Sequence, residues 1–413
     1  MLNFGKILKK PDFNKYLLYK DVRFMRLVLF FCFLLINILL SGQKVIKIDP
    51  DKGADRQLHL SEIASEIKYV KLETNDSCFI SDVVKVVTDG AYIFISSHFK
   101  DYTRLLMFSE SGKFKRNIGI CGRGPGEYSD VMDFSINPSE QIIYILDPLG
   151  KILLYNYTGR YLITIKLDAR PSNILFHNNK IWLFSAWPDY YLNNGYCIQV
   201  IEANNHGKKT YLLNRKRIKI TRNPNSYIYP NFHYSVNSGN SISFFEERFD
   251  TLYYIDNQFK ITPKFVIELK DDLPMNLSTA DEFRQAFKTS NNLFDFIEIK
   301  NYLLFSVMSP NPVRKYFFAV SKASGEIFKH DMTKDKQQMI NDLDIGLPFN
   351  LRGYASFNLL YSSIDCFKLK EYLEKVQLKK QPGLNSGQYY HLSKLVNDTK
   401  ISDNPVLIFI KLK

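Results

Sequence analysis

Three turns of matching chemistry, Ser111-Gly112-Lys113-Phe114, Thr158-Gly159-Arg160-Tyr161 and His206-Gly207-Lys208, set their glycines 47 and 48 residues apart. A constant interval of this size marks a repeated supersecondary unit that buries its faces against its own copies. Each interval holds four short apolar runs. In the first unit they are 82–87, 91–96, 104–108 and 113–118, with a Thr88-Asp89-Gly90 turn between the first two. The second unit repeats the order at 131–136, 142–146, 151–155 and 160–165, and the third at 172–176, 180–184, 196–201 and 208–213. Four short antiparallel strands per unit, repeated radially, is the propeller pattern. A sandwich has no reason to repeat one turn at a fixed interval.

Past a basic loop at 214–222 the units loosen. The fourth offers strands at 241–245, 251–255 and 261–269; the fifth at 293–299, 302–307, 315–320 and 325–328. Between them 278–287 reads as a helix with Ser278 as N-cap and Asp281-Glu282 in the first turn. The last unit has strands at 353–357 and 359–363, helical stretches at 367–376 and 391–396, and a terminal run at 404–411. It is one strand short. An isolated alternating segment, Ile67-Lys68-Tyr69-Val70-Lys71-Leu72, follows a helical-looking 60–66 and has no hairpin partner nearby. Placed beside the C-terminal strand it completes the last sheet and locks the ring, leaving no open edge there. The expected fold is all-β: a six-bladed β-propeller of four-stranded antiparallel blades, the N-terminal strand closing the last blade, with short helical insertions. Seven is the competing blade number, because the period is poorly defined after Leu269. The 32 Phe and 26 Tyr suit strands.

Ahead of the ring, Leu27 to Leu40 is an apolar stretch preceded by Arg23 and Arg26 and followed by Ser41-Gly42-Gln43. A basic segment, an apolar run too short to span comfortably and small exit residues describe a secretory signal. Met25 is then a natural start, residues 1–42 are extension and signal, and 43–413 are one propeller domain. An uncleaved membrane anchor is the alternative. Periplasmic or secreted export follows, and lipid anchoring is disfavoured because Gln43 stands where a lipoprotein needs Cys. Removing residues 1–42, which hold seven of the 55 Lys/Arg and two of the 42 Asp/Glu, reduces the net charge from +13 to +8. With no nucleic-acid motif, that excess reads as solubility rather than a nucleic-acid partner. Cys78, Cys121, Cys197 and Cys366 show no metal-ligand spacing and read as buried thiols, though an oxidising compartment permits one bridge. No cofactor or metal is expected, and the expected state is a monomer.

Between units one and two lies Gly122-Arg123-Gly124-Pro125-Gly126-Glu127-Tyr128. Three alternate glycines permit positive φ and close approach, and Pro125 stiffens the corner. Arg123 and Glu127 are then held at fixed positions, to pair with each other or a neighbouring blade, or to capture an anionic or polyhydroxyl ligand. The run does not open a helix after a strand, so it is not a dinucleotide or phosphate loop.

The chain resembles a large bacterial family of exported six-bladed β-propellers, similar to the NHL-repeat propellers. The resemblance rests on Lys71-Leu72-Glu73-Thr74, Phe108 to Lys113, the heptapeptide, Phe249-Asp250-Thr251-Leu252-Tyr253 and Asp403-Asn404-Pro405-Val406-Leu407, and covers about Val45 to Lys413. It implies a fold and an envelope location and carries over no catalytic residues.

In a propeller, the links between blades and the loops between second and third strands emerge on one face. The heptapeptide's face therefore also receives 98–103, 147–148, 186–194, 214–231, 246–249 and 309–314. Aromatic and guanidinium groups there suit sugar rings or peptides, which makes Arg123, Glu127, Tyr128, Trp187, Tyr190, Tyr191 and Arg248 the candidate ligand contacts. The function expected is a non-catalytic binding or scaffolding module for a glycan, peptide or protein. The alternative is a channel enzyme, a metal-assisted hydrolase or lyase, drawing on His98, Asp101, Asp189, His233, Glu246 and Glu247.

Overall fold

In a computed structural model, the residues described are 43–185, 195–214, 232–236, 241–246, 250–274, 280–310, 312–333, 337–344, 347–379 and 393–413. Six antiparallel sheets form the ring. Blade 1 is β3 (Val83–Thr88), β4 (Tyr92–Phe99), β5 (Tyr102–Ser109) and β6 (Phe114–Ile118). Blade 2 is β7 (Asp133–Asn137), β8 (Ile142–Asp147), β9 (Lys151–Asn156) and β10 (Tyr161–Lys166). Blade 3 is β11 (Asn173–His177), β12 (Lys180–Phe184), β13 (Tyr196–Glu202) and β14 (Asn205–Asn214). Blade 4 contains β15 (Phe232–Val236), β16 (Ile242–Glu246), β17 (Thr251–Ile255) and β18 (Ile261–Leu269), and blade 5 contains β19 (Asn292–Glu298), β20 (Tyr302–Pro310), β21 (Val313–Ser321) and β22 (Ile327–Asp331). Blade 6 runs β23 (Gly353–Ser356), β24 (Leu359–Ile364), β25 (Val406–Leu412) and, outermost, β2 (Ala64–Lys71).

The N-terminal strand therefore closes the ring as the repeat count requires. In β2, Ile67 faces Ile410, Tyr69 faces Ile408 and Val70 faces Leu407. The preceding helix α1 (Leu60–Ile63) is shorter than the 60–66 read from sequence, because the strand already begins at Ala64. Helix α2 (Ala280–Thr289) is the expected insertion, with Ser278 itself outside the described residues; α3 (Cys366–Lys379) lies between β24 and β25.

Why the strands read as continuous apolar runs follows from the packing. Each blade is covered on both faces, so alternate residues serve opposite neighbours. Phe94 packs toward blade 2, while Ile93 and Ile95 on either side of it pack toward blade 6. Six separate cores result, one for each adjacent pair of blades.

Two strands were not legible in sequence. The inner strand β15 was missing from the fourth unit, and β1 (Lys44–Ile48) adds a fifth strand outside β18. From β1 the chain crosses blade 5: Arg56 bridges to Lys329, stacks on Phe328 at 4.5 Å and pairs with Glu326, while Lys329 Nζ donates to the carbonyls of Pro50 (3.0 Å) and Lys52 (2.8 Å). The segment 44–71 thus belts blades 4, 5 and 6. Among the described residues Cys78, Cys121, Cys197 and Cys366 are free thiols, and Cys78, Cys197 and Cys366 are buried.

Candidate functional site

The heptapeptide is a hydrogen-bonded corner. Gly122 N–H donates to the Tyr128 carbonyl (2.9 Å), Tyr128 N–H to the Ile120 carbonyl (3.2 Å) and Glu127 N–H to the Gly124 carbonyl (3.0 Å). The Glu127 carboxylate folds back into the loop and accepts the Gly124 N–H at 2.7 Å. A Cβ on Gly122 would stand 2.0 Å from Glu127 Oε2, so that glycine makes room for the carboxylate rather than for a twisted backbone. Gly126 alone of the three takes a left-handed φ, +75°, against the Tyr161 ring. From blade 2, Lys151 Nζ donates to the Glu127 carbonyl (3.0 Å) and Tyr155 OH to the Gly126 carbonyl.

The candidate ligand contacts divide accordingly. Tyr128 is buried in the core between blades 1 and 2, and burial pushes its phenol pKa up. Glu127 caps its own loop. Arg123 is exposed and makes no hydrogen bond or ion pair among the described residues. Glu127 and Tyr128 turn inward, and of the three candidates among the described residues Arg123 alone is turned to solvent. Trp187, Tyr190, Tyr191 and Arg248 lie outside the described residues.

Around this corner the same face carries large apolar side chains in water: Ile120 is 69% exposed, Leu149 65%, Met132 47% and Phe79 45%. Their loops are tied together. Asp147 accepts Ser129 N–H (2.6 Å), Ser129 O–H (2.9 Å) and Leu149 N–H (2.8 Å), and Asp130 accepts Thr103 N–H (2.7 Å). Arg104 donates to the Phe79 carbonyl and lies 4.0 Å over the Phe99 ring. Sequence reasoning singled out aromatics in the long loops and overlooked these apolar side chains, which look like ordinary core residues until the turns place them outward. On blade 6 the face also opens a cleft of about 530 Å³ lined by Asn350, Arg352, Asp365, Lys368, Glu371 and Tyr372. Arg352 ties the cleft to blade 1, donating to the Val83 carbonyl (2.8 Å) and lying 3.7 Å from Asp82.

Among the described residues the enzyme alternative is divided between two blades. His98 and Asp101 are exposed on the β4–β5 turn of blade 1, where His98 Nδ1 is 3.2 Å from Thr103 Oγ1; His233 and Glu246 belong to blade 4. Asp189 and Glu247 lie outside the described residues. Among the described residues no three His, Cys, Asp or Glu side chains are grouped to hold a metal.

In the channel stands a polar network that no motif announced. Lys85 Nζ donates to Asp133 Oδ1 (2.6 Å), the Phe134 carbonyl (2.9 Å) and Tyr234 OH (3.1 Å). Asp133 also accepts the N–H groups of Phe134 (2.8 Å) and Ile174 (2.9 Å), and Tyr234 OH donates to the Ile174 carbonyl (2.9 Å). Burial opposes charge on Lys85, but Asp133 and Tyr234 beside it hold its pKa above the ordinary value. Burial, with Asp133 adding to it, pushes Tyr234 up to about 12. The amine is therefore a spent cation, its three protons committed to protein acceptors, and not a nucleophile or base. The network clamps blades 1 to 4 across the axis. Its members lie on four inner strands far apart in sequence, so only the ring's closure could reveal it.

The model of a family described as "Domain of unknown function (DUF4934)" matches residues 43–411. No curated protein sequence matches the chain. Among solved structures, a Bacteroides fragilis protein inferred to be exported aligns with TM-score 0.64 at 19% identity, over 90% of this chain and 100% of that one. A member of the DUF4221 family from Bacteroides vulgatus aligns with TM-score 0.51 at 11% identity, over 85% and 97%. At these identities the likeness is one of fold. Among the described residues no helix is long and apolar enough to cross a membrane.

Proposed function

Since the chain belongs to the DUF4934 family, whose matched region spans the entire ring, we propose that it is an exported, non-catalytic docking module that holds a peptide or protein segment on the heptapeptide face. Its place is the periplasm or the exterior, in keeping with the apolar stretch at 27–40 and with the inferred export of the Bacteroides fragilis protein of similar fold. The observation that carries the reading is that Phe79, Ile120, Met132 and Leu149 stand exposed on mutually hydrogen-bonded loops of the face that holds Arg123, which has no partner among the described residues. Apolar side chains held in water by rigid backbone mark an interaction surface. Three of the four, Ile120, Leu149 and Met132, are aliphatic or thioether groups, which favour a polypeptide over a glycan, since sugars are held by flat aromatic faces and polar pairs; the Phe79 ring alone would suit either. The preformed corner spares the ordering entropy that a flexible loop would lose on binding.

Photocrosslinking tests this. A benzophenone amino acid in place of Ile120 or Leu149 should trap one discrete polypeptide in cells that make the protein, whereas the same group in place of Ile327 on the outer edge of blade 5 should not. Equal trapping at all three positions, or none at 120 and 149, sinks the proposal.

A further inference from the structure

We propose a second binding site, at the centre of the ring on the opposite face, for a small planar aromatic molecule bearing a neutral hydrogen-bond acceptor such as an amide or ketone carbonyl. A cavity of about 150 Å³ lies on the channel axis, lined by inner-strand residues of five blades. Val87 is near the C-terminal end of β3, and Ser356 and Phe357 end and follow β23. The inner strands all start at the heptapeptide face, so the cavity opens to the other one.

Its chemistry defines the occupant. Val87, Leu175, Ala355, Tyr354 and Phe357 make the wall apolar and aromatic, and Phe357 stands 56% exposed. Its volume is about that of a cavity known to accept benzene, though this one is open at one end and polar at its floor. The floor is the Lys85–Asp133–Tyr234 network, whose donors are already committed, so an anionic ligand gains nothing from Lys85 that Asp133 does not already take. Two hydroxyls remain. Ser135 is 7% exposed and its oxygen accepts Phe176 N–H at 2.8 Å, yet its own proton has no acceptor among the described residues; the Ser356 hydroxyl makes no hydrogen bond among them. A buried donor without an acceptor gains from a ligand that supplies one. A flat ring between the aromatic walls, with a neutral acceptor turned to Ser135, satisfies both demands.

Fluorine NMR titration of the full-length protein with 4-fluorobenzamide, fluorobenzene and 4-fluorobenzoate tests the site. We expect 4-fluorobenzamide to bind about fivefold tighter than fluorobenzene, and Ser135→Ala to remove that difference, the size expected of one neutral hydrogen bond. The benzoate should bind no tighter than the amide. Leu175→Trp and, from another blade, Val87→Phe should fill the cavity and abolish amide binding in any variant that keeps the wild-type circular dichroism and melting temperature. No binding of the amide, binding that survives both filling variants, or an amide preference that survives Ser135→Ala would overturn the assignment. These readouts do not depend on the heptapeptide face, so either proposal can fail alone.

Discussion

The Asn404 side chain is fully buried, accepts Ile80 N–H at 2.7 Å and donates to the carbonyls of Glu73 (2.7 Å) and Cys78 (2.8 Å). Beside it Lys71 pairs with Asp403 at 3.2 Å, and Glu73 Oε2 accepts Phe114 N–H at 3.0 Å. Three of the five segments that carry the family resemblance, 71–74, 108–113 and 403–407, thus form one clasp where the two ends of the ring meet. Asn404→Ala strands three backbone groups, and should cost about 3 kcal/mol in urea unfolding; a loss below about 1 kcal/mol would mean the clasp is idle. Gly112 belongs to the same junction: its φ is +80°, and a Cβ there would stand 2.0 Å from the Lys71 carbonyl oxygen. Gly112→Ala must shift backbone and should lower the melting temperature more than Gly159→Ala, whose nearest neighbour is the Arg116 side chain at 3.4 Å. Acid should open the clasp as well. Burial alone would raise the Asp403 pKa, but the Lys400 N–H and Lys71 outweigh it and hold the carboxyl below 3.8. A depressed carboxyl contributes stability that is present above its unfolded value and is lost as pH falls through the folded one. Melting curves from pH 5 to pH 2.5 should show a drop below about pH 3.8 that is smaller in Asp403→Asn; equal drops would discount Asp403. At this scale the special residues were visible in the sequence, but their partnership was not, since 71–80 and 404 meet only in the closed ring.

Elements were legible where one rule decided them. The first three units have sharp glycine turns and apolar runs, and their strands fall where the repeat puts them. Blade 4 lost β15 because Phe-His-Tyr-Ser-Val is short and mixed in polarity, and it lost β1 because a strand that joins a distant blade has no turn to announce it. With β1 on β18, Ile46 and Ile48 complete the core between blades 4 and 5. Deleting residues 43–48 should leave a folded ring with a lower melting temperature and a bare β18 edge, whereas deleting 64–71 should abolish cooperative unfolding, since β2 is the closure itself. Equivalent effects from the two deletions would contradict that ranking. The channel network is likewise an element-level device. Lys85→Met leaves Asp133 buried without its cation and should cost about 3–5 kcal/mol, much of it restored by adding Asp133→Asn; a double variant no more stable than the single would show that the pair is not a coupled unit.

Over the whole molecule, six inter-blade cores hold the ring and leave its two faces to differ. One face gathers the links, the stiff corner and the exposed aliphatics; the other opens the axial cavity. The heptapeptide's position was readable from the repeat alone, because any link between consecutive blades lands on that face. Which of its side chains turn outward was not, because Glu127 and Tyr128 are drawn inward by a backbone N–H and a core that only the fold supplies. The account stands on the separation of a stable ring from a binding face. Its most direct measurement is the affinity of the polypeptide trapped at Ile120 for the wild-type protein and for the Ile120→Asp, Leu149→Asp double variant, with melting temperatures measured in parallel. The prediction is an affinity loss of at least about tenfold with an unchanged melting temperature. Equal affinity in a folded double variant would contradict it.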